Sequence, residues 1–160
     1  MAMKIGVLSD THLYRVSEEL KAIYKNYLSD MDFVFHAGDT CALEVVEYMK
    51  NENFHGVSGN MDPPEVKAIL PEKKIVEIGA YRIGLIHGWG SSEGLEDRVF
   101  GEFSDVDIIV FGHSHSAFNG KKEGILLFNP GTATGPSLRS GNSLGILELG
   151  HEIHSSIIKL

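Results

Sequence analysis

A chain of 160 residues, 42% hydrophobic and 22% charged, is long enough to bury one core, and nothing in it calls for a second domain over residues 1–160. Its formal net charge of −8 argues against binding polymeric nucleic acid through the phosphate backbone, which needs clustered Lys and Arg. No stretch is apolar enough to span a bilayer, the lone Cys41 cannot close an internal disulfide, and the opening residues read as a strand rather than a leader, so the expected location is the cytoplasm.

The apolar run over residues 5–8 predicts a buried strand that ends in Ser9-Asp10-Thr11-His12. Leu20, Ile23, Tyr24, Tyr27, Leu28 and Met31 follow at helical spacing, and Ser17 is placed to cap a helix over about 17–30. A strand over residues 33–35 ends in His36-Ala37-Gly38-Asp39, and a second helix turns Leu43, Val46, Tyr48 and Met49 inward. The strand at 54–57 stops at Ser58-Gly59-Asn60-Met61-Asp62, where Pro63-Pro64 predicts a rigid loop with nothing regular continuing directly. Residues 74–78 and 81–86 read as a hairpin around Gly79-Ala80, and its second arm ends at His87-Gly88. A helix over about 92–103 leads to a strand at 107–111 that ends in Gly112-His113-Ser114-His115. Segments 124–128, 143–149 and 153–159 look like antiparallel strands, so the whole predicts α/β layers with two sheets packed together.

Five separate strands thus run into turns carrying Asp, His or Asn, and ligands gather at the carboxyl ends of strands in open α/β sheets. Turn chemistry alone favours Asp, Asn and Gly but has no special need for His. Mixed carboxylate, imidazole and amide donors without a thiolate suit Mn, Fe, Co, Ni or Zn better than Mg. Two such ions about 3.5–4 Å apart can share a carboxylate and a hydroxide and clamp a phosphoryl group.

In this order the motifs resemble the calcineurin-like metallophosphoesterase family: Asp10-x-His12, Gly38-Asp39, Gly59-Asn60-x-Asp62, His87 and Gly112-His113-x-His115. The short length and Asn129-Pro130-Gly131-Thr132 look like the family's small single-domain prokaryotic phosphodiesterase branch. The resemblance implies a four-layer α/β/β/α sandwich of two mixed sheets flanked by helices. It also implies two divalent metal ions, Mn2+ ahead of Ni2+, Co2+, Fe2+ or Zn2+. Asp10, His12 and His115 would hold the first, Asn60, His87 and His113 the second, and Asp39 would bridge them. Asp39, Asn60 and His113 would then act in catalysis, with a bridging hydroxide attacking a small phosphodiester or nucleotide-like substrate, in a protein for which the resemblance makes a homo-oligomer plausible. The runner-up is a non-catalytic protein-binding scaffold, because the family includes the retromer subunit of eukaryotic vesicle sorting; an intact ligand set favours the enzyme.

Two positions depart from the family pattern. Met61 stands where many members have a His that protonates the leaving oxygen, and Met cannot transfer a proton. Trp89 replaces a second His and could cover the site or stack on an aromatic leaving group, or serve only as a partly buried structural Trp. Of the remaining residues, Asp62 either orients a ligand or starts the proline turn, and His36 reads as a core histidine satisfied by backbone. Cys41 reads as structural, and His151 and His154 as surface residues on opposite sides of a strand. Asn129-Pro130-Gly131-Thr132 could turn amides toward a phosphate and Arg139 could reach one, although a plain turn and a surface Arg are the stronger readings.

Overall fold

The computed structural model describes residues 1–137 and 141–160, so Arg139 lies outside the described residues. One sheet has the order β10-β9-β1-β2-β3, built from β1 (Met3–Leu8), β2 (Phe33–His36), β3 (Phe54–Gly56), β9 (Ser143–Leu149) and β10 (Ile153–Lys159). The other, β4-β5-β6-β8-β7, contains β4 (Lys73–Ile78), β5 (Tyr81–Ile86), β6 (Ile108–Val110), β7 (Phe118–Lys122) and β8 (Ile125–Asn129). Each sheet mixes parallel and antiparallel pairs: β1, β2 and β3 run parallel in the first, as do β5, β6 and β8 in the second.

Period-two alternation sorts the strand residues into layers. Ile5, Val7 and Phe35 of the first sheet share one buried cluster with Ile83, Leu85, Ile108, Val110 and Phe128 of the second, which is the core between the sheets. Leu8 and Val34 turn the opposite way, onto α1 (Glu18–Ile23), α2 (Leu43–Met49) and α3 (Pro64–Lys67) through Leu20, Val45, Val46 and Val66. Ile86, Ile109 and Leu127 cover the outer face of the second sheet with Leu95 and Val99 of α4 (Leu95–Phe100). The layers are therefore helix, sheet, sheet, helix, as the motifs implied. Phe35, Phe111 and Phe128 are fully buried, and truncating any of them to Ala costs about 3–5 kcal/mol.

Five local features differ from the sequence reading. The first helix is α-helical only to Ile23 and finishes as a π-helical turn over Tyr24–Leu28. Proline does not stop regular structure after Asp62: Pro64 opens α3 at its first turn, where a missing N–H removes nothing from the helix. The helix expected over about 92–103 is shorter, because Gly94 enters it at φ 77°. Strand β7 was not expected at all, since Phe118-Asn119-Gly120-Lys121-Lys122 lacks an apolar alternation and pairs with β8 at a sheet edge. His151 lies before β10 rather than on it, so only His154 has a strand position. Among the described residues no helix is long and apolar enough to cross a membrane.

Candidate metal centre

Parallel pairing puts the ends of β1, β2 and β3 on one edge of the first sheet, and the ends of β5 and β6 on one edge of the second. Backbone bonds then tie neighbouring loops together along each edge. Asp10 N–H donates to Gly38 O at 3.0 Å, His12 N–H to Asp39 O at 3.0 Å, and Gly112 N–H to His87 O at 3.0 Å. Across the sheets, His87 Nδ1 meets Ala37 O at 2.7 Å and the His113 amide donates to Asp10 Oδ2 at 3.1 Å.

The carboxylates of Asp10 and Asp39 lie at the middle of this junction, both buried. Asp10 Oδ1 is 3.6 Å from His12 Nε2, 3.3 Å from His115 Nε2 and 3.8 Å from His87 Nε2. Asp39 Oδ2 lies between two imidazoles, 3.4 Å from His12 Nε2 and 3.2 Å from His87 Nε2. Asn60 Oδ1 is 3.1 Å from His87 Nε2. Two donor groups suited to a metal ion result, Asp10 with His12 and His115, and Asp10 with Asp39 and His87. His113 stands beside these groups, its ring edge-on to His87 at 5.2 Å and its Nε2 2.8 Å from Gly90 O. That bond leaves Nδ1 as the remaining ring nitrogen.

Whether cations fit here can be tested on the protein's own polar atoms. Among the described residues, Asp10 Oδ1 and His12 Nε2 are buried side-chain atoms without a hydrogen-bond partner. Buried orphans of this kind cost about 1–3 kcal/mol each unless something else satisfies them. Other atoms of the same groups are tied off, which aims the orphans: Ser9 Oγ donates to Asp10 Oδ2 at 2.6 Å and Met61 N–H to Asp39 Oδ1 at 2.8 Å. His115 Nδ1 is held by Pro136 O at 2.6 Å, so its Nε2 points inward. Carbonyl partners that fix the second ring nitrogen are the usual support of a metal-ligating histidine.

Electrostatics agrees. Burial alone would raise Asp10, but the His115 and His12 imidazoles, the charge of His87 and the Ser9 hydroxyl outweigh it and hold the carboxyl well below its ordinary range. Burial likewise opposes ionisation of Asp39, and His87 together with the Met61 amide reverses it. His87 rises despite burial because Asp39 and Asp10 face it, and Asp10 pushes His115 up to about 9. With protein groups alone, the two carboxylates draw positive charge onto their neighbours, which is the field a bound cation would meet.

The backbone is bent to make this set converge. Asp10, His12, Asp39, His113 and His115 all adopt left-handed φ, at 53°, 47°, 60°, 72° and 60°. Such conformations are costly for residues with a side chain and cluster at functional sites. Two glycines are sterically required. A Cβ on Gly59 would lie 2.2 Å from Asp39 Oδ1, and one on Gly112 would lie 2.0 Å from Ser9 Oγ.

Of the two readings offered for Asp62 the bracing one holds, and Thr132 and Thr134 add braces that the sequence reading did not single out. Asp62 accepts from Asp39 N–H and Thr40 Oγ1 at 3.0 Å and from Cys41 N–H and Gly59 N–H at 2.8 Å, so it does more than start a proline turn. Thr132 Oγ1 donates to Asp10 O at 2.7 Å, Thr134 Oγ1 to Thr11 O at 2.6 Å, and Asn129 Nδ2 to Gly112 O at 3.0 Å. The Asn129-Pro130-Gly131-Thr132 segment is therefore a brace for the ligand loops, and its Gly131 amide is spent on Asn129 Oδ1 at 2.9 Å instead of facing a phosphate. His36 is fully buried between the Gly38 amide and the Thr11 hydroxyl. Cys41 is buried with its thiol pushed up to about 12 by burial and by Asp39, Asp62 and Asp10, which makes it an inert neighbour of His12.

Fold and donors together define a centre of metal-ligand candidates at the junction of two mixed sheets. The calcineurin-like phosphoesterase superfamily domain matches residues 3–152. A probable metallophosphoesterase of Methanocaldococcus jannaschii is 39% identical over 139 residues, covering 84% of this chain and 70% of that one. Vacuolar Protein Sorting 29 from Cryptosporidium parvum superposes with a TM-score of 0.77 at 26% identity, covering 99% of each chain. A novel archaeal phosphodiesterase superposes with a TM-score of 0.69 at 25% identity, covering 98% of this chain and 100% of that one. The chain belongs to the calcineurin-like phosphoesterase superfamily.

Proposed function

We propose that residues 1–160 form one domain that acts as a metal-dependent phosphodiesterase with two divalent ions, on a small phosphodiester or nucleotide-like substrate. The observation that carries this reading is the convergence of the unpartnered Asp10 Oδ1 and His12 Nε2 with Asp39, His87 and His115. Asp10, His12 and His115 would hold one ion; Asn60, His87 and His113, the last through Nδ1, would hold the other. Asp39, whose Oδ2 lies between His12 and His87, would be shared by the two ions, with Asp10, common to both donor groups, beside it. The mixed nitrogen and oxygen donors suit manganese first, then Ni, Co, Fe or Zn. When bound, two such ions polarise a phosphoryl oxygen, generate a nucleophile from water at neutral pH and neutralise charge on the departing oxygen.

The chain's own residues do the positioning. Carbonyls of Ala37, Pro136 and Gly90 fix the His87, His115 and His113 rings, so no ring must reorganise during turnover. Asn60 is exposed at the rim, where its amide can also meet a phosphate oxygen. Met61 is 53% exposed at the same rim and offers no proton, so the departing oxygen leaves without one from this side chain. That favours diesters with good leaving groups.

A scaffold of the same fold is the second reading, favoured by the higher TM-score of the Vacuolar Protein Sorting 29 match. To separate them, metal-stripped protein is given Mn, Ni, Co, Zn or Mg, and hydrolysis of an aryl phosphodiester is compared with that of an aryl phosphomonoester. The enzyme needs a transition metal, prefers the diester and loses turnover in Asp39→Ala. Metal-independent turnover or a monoester preference refutes it, and absence of turnover with metal bound leaves the scaffold.

A further inference from the structure

We propose that Trp89 is the stacking wall of a subsite for one ester arm of the substrate, a planar aromatic arm of nucleobase size, and that Arg98 is the positioning residue that holds this wall in place. The proposal rests on the phosphodiesterase reading and adds the chemical class of the substrate.

A cleft of about 430 Å³ opens beside the donor cluster. Asn60 and His87 of that cluster line it, together with Ile86, Gly88 and Trp89. A ligand whose phosphorus lies beside Asn60 and His87 would therefore extend one arm past the indole. The volume lies near the lower end of ligand pockets, about 300–1,000 Å³, which suits a single nucleoside-sized group and leaves no track for a polymer.

Trp89 is 45% exposed, more than a packing tryptophan needs to be. Its loop is nevertheless tightly held. Arg98 Nε donates to Trp89 O at 2.9 Å, Nη1 to Glu93 O at 3.1 Å, and Nη2 to Ser91 O. His113 Nε2 reaches the intervening Gly90 O at 2.8 Å. The planar guanidinium can serve three carbonyls at once because its donors are fixed in a fork, which an ammonium cannot reproduce. An exposed aromatic on a loop ordered in advance gives up little freedom when a ring stacks on it.

The charged residues of the cleft decide what kind of arm fits. Lys67 and Lys73 line the cleft together with Glu72 and Glu102, and Lys73 Nζ meets Glu102 Oε2 at 3.3 Å. Two positive and two negative side chains give no net charge to attract a second phosphate. They do offer donors and acceptors to the polar edge of a neutral base whose faces are apolar. Phosphate at the donor cluster, ring on Trp89 and polar edge toward these four residues is the arrangement of a nucleoside phosphate ester.

Trp89 is the sole tryptophan of the chain, so its emission reports stacking without any turnover. Manganese-loaded protein is titrated with adenosine 5′-monophosphate, with excitation at the red edge where adenine does not absorb, and ribose 5-phosphate is assayed by competition. The two ligands share phosphate and sugar and differ in the base. Saturable quenching by the nucleotide, with affinity about tenfold above that of the sugar phosphate, is the expected result, because stacking on an aromatic side chain is worth about that much. In Arg98→Ala the nucleotide binds about tenfold more weakly while the sugar phosphate does not change, and Arg98→Lys behaves like Arg98→Ala because the fork is lost. Equal affinities for the two ligands in the unaltered protein would overturn the subsite, and undiminished nucleotide binding in Arg98→Ala would overturn the positioning role. Quenching without diester turnover would keep the subsite and remove the enzyme, whereas turnover without a preference for the base would do the reverse.

Discussion

The Asp62 carboxylate accepts the Asp39 backbone N–H at 3.0 Å and so ties the loop after β2 to the loop after β3. The same carboxylate takes the Cys41 and Gly59 amides, and thereby holds two left-handed residues, Asp39 at φ 60° and Cys41 at φ 73°, in the conformation the site needs. A side chain outside the donor cluster thus sets where the Asp39 carboxylate points.

Asp62→Ala leaves four donors without their acceptor, three of them backbone amides, and is expected to cost about 3–5 kcal/mol. Asp62→Asn also fails, because its NH2 would face two of those donors. Urea unfolding and metal content, measured together, check this. Wild-type stability and two-ion loading in Asp62→Ala would contradict it.

Gly59→Ala places a methyl group 2.2 Å from Asp39 Oδ1, and the carboxylate must move to admit it. Gly59 adopts no left-handed φ, so the backbone itself tolerates Ala and the damage falls on the site. The expected result is a folded protein with metal affinity lowered at least about tenfold, since displacing a ligand costs more than losing its support. Calorimetric titration with manganese decides it, and unchanged affinity would show that Asp39 does not ligate.

Burial pushes His36 down to about 4, and the charge of His87 adds to it against the pull of Asp62, Asp10 and Asp39. Its Nδ1 accepts the Gly38 N–H and its Nε2 faces Thr11 Oγ1, so a second proton would break the first bond. The folded value lies below the unfolded one of about 6.5, so the unfolded chain binds the proton first as pH falls. Stability attributable to His36 is therefore complete above about pH 6.5 and declines toward about pH 4, by about 3 kcal/mol over the whole window. His36→Gln should flatten that part of the stability profile of the metal-stripped protein, whatever it does at neutral pH. A profile of unchanged slope would contradict the assignment.

Met61→His places a proton donor at an exposed rim position whose amide already contacts Asp39. General acid catalysis is worth about a hundredfold or more, and it matters most for poor leaving groups. The variant should gain at least about tenfold in kcat/KM on an alkyl phosphate such as serine phosphate, and little on an aryl diester. Equal gains on both, or none, would place the departing oxygen away from residue 61.

The seven proposed ligands were legible because chemistry dictates residue type, and each follows a strand whose apolar run ends where the turn begins. Layer order was carried by the family resemblance, and alternation in β1, β5 and β8 agrees with it. What escaped reading was whatever depends on partners far along the chain. For Asp62 the sequence left a ligand-orienting role and a plain turn side by side, and only Asp39, Thr40 and Cys41, brought to it from 21 to 23 residues away, separate them. Thr132 and Thr134 brace residues more than 120 positions earlier. Strand β7 is held by its pairing with β8 and carries no pattern of its own. The Arg98 fork is likewise invisible, because its partners are backbone carbonyls that any residue supplies.

Aryl phosphodiester hydrolysis measured against equivalents of manganese added to metal-stripped protein tests the two-ion reading most directly. Turnover should rise and saturate at about two equivalents per chain, as a two-metal site requires, and be absent in Asp39→Ala at any loading. Full occupancy at two ions per chain with no hydrolysis, or saturation of activity at one, would contradict it.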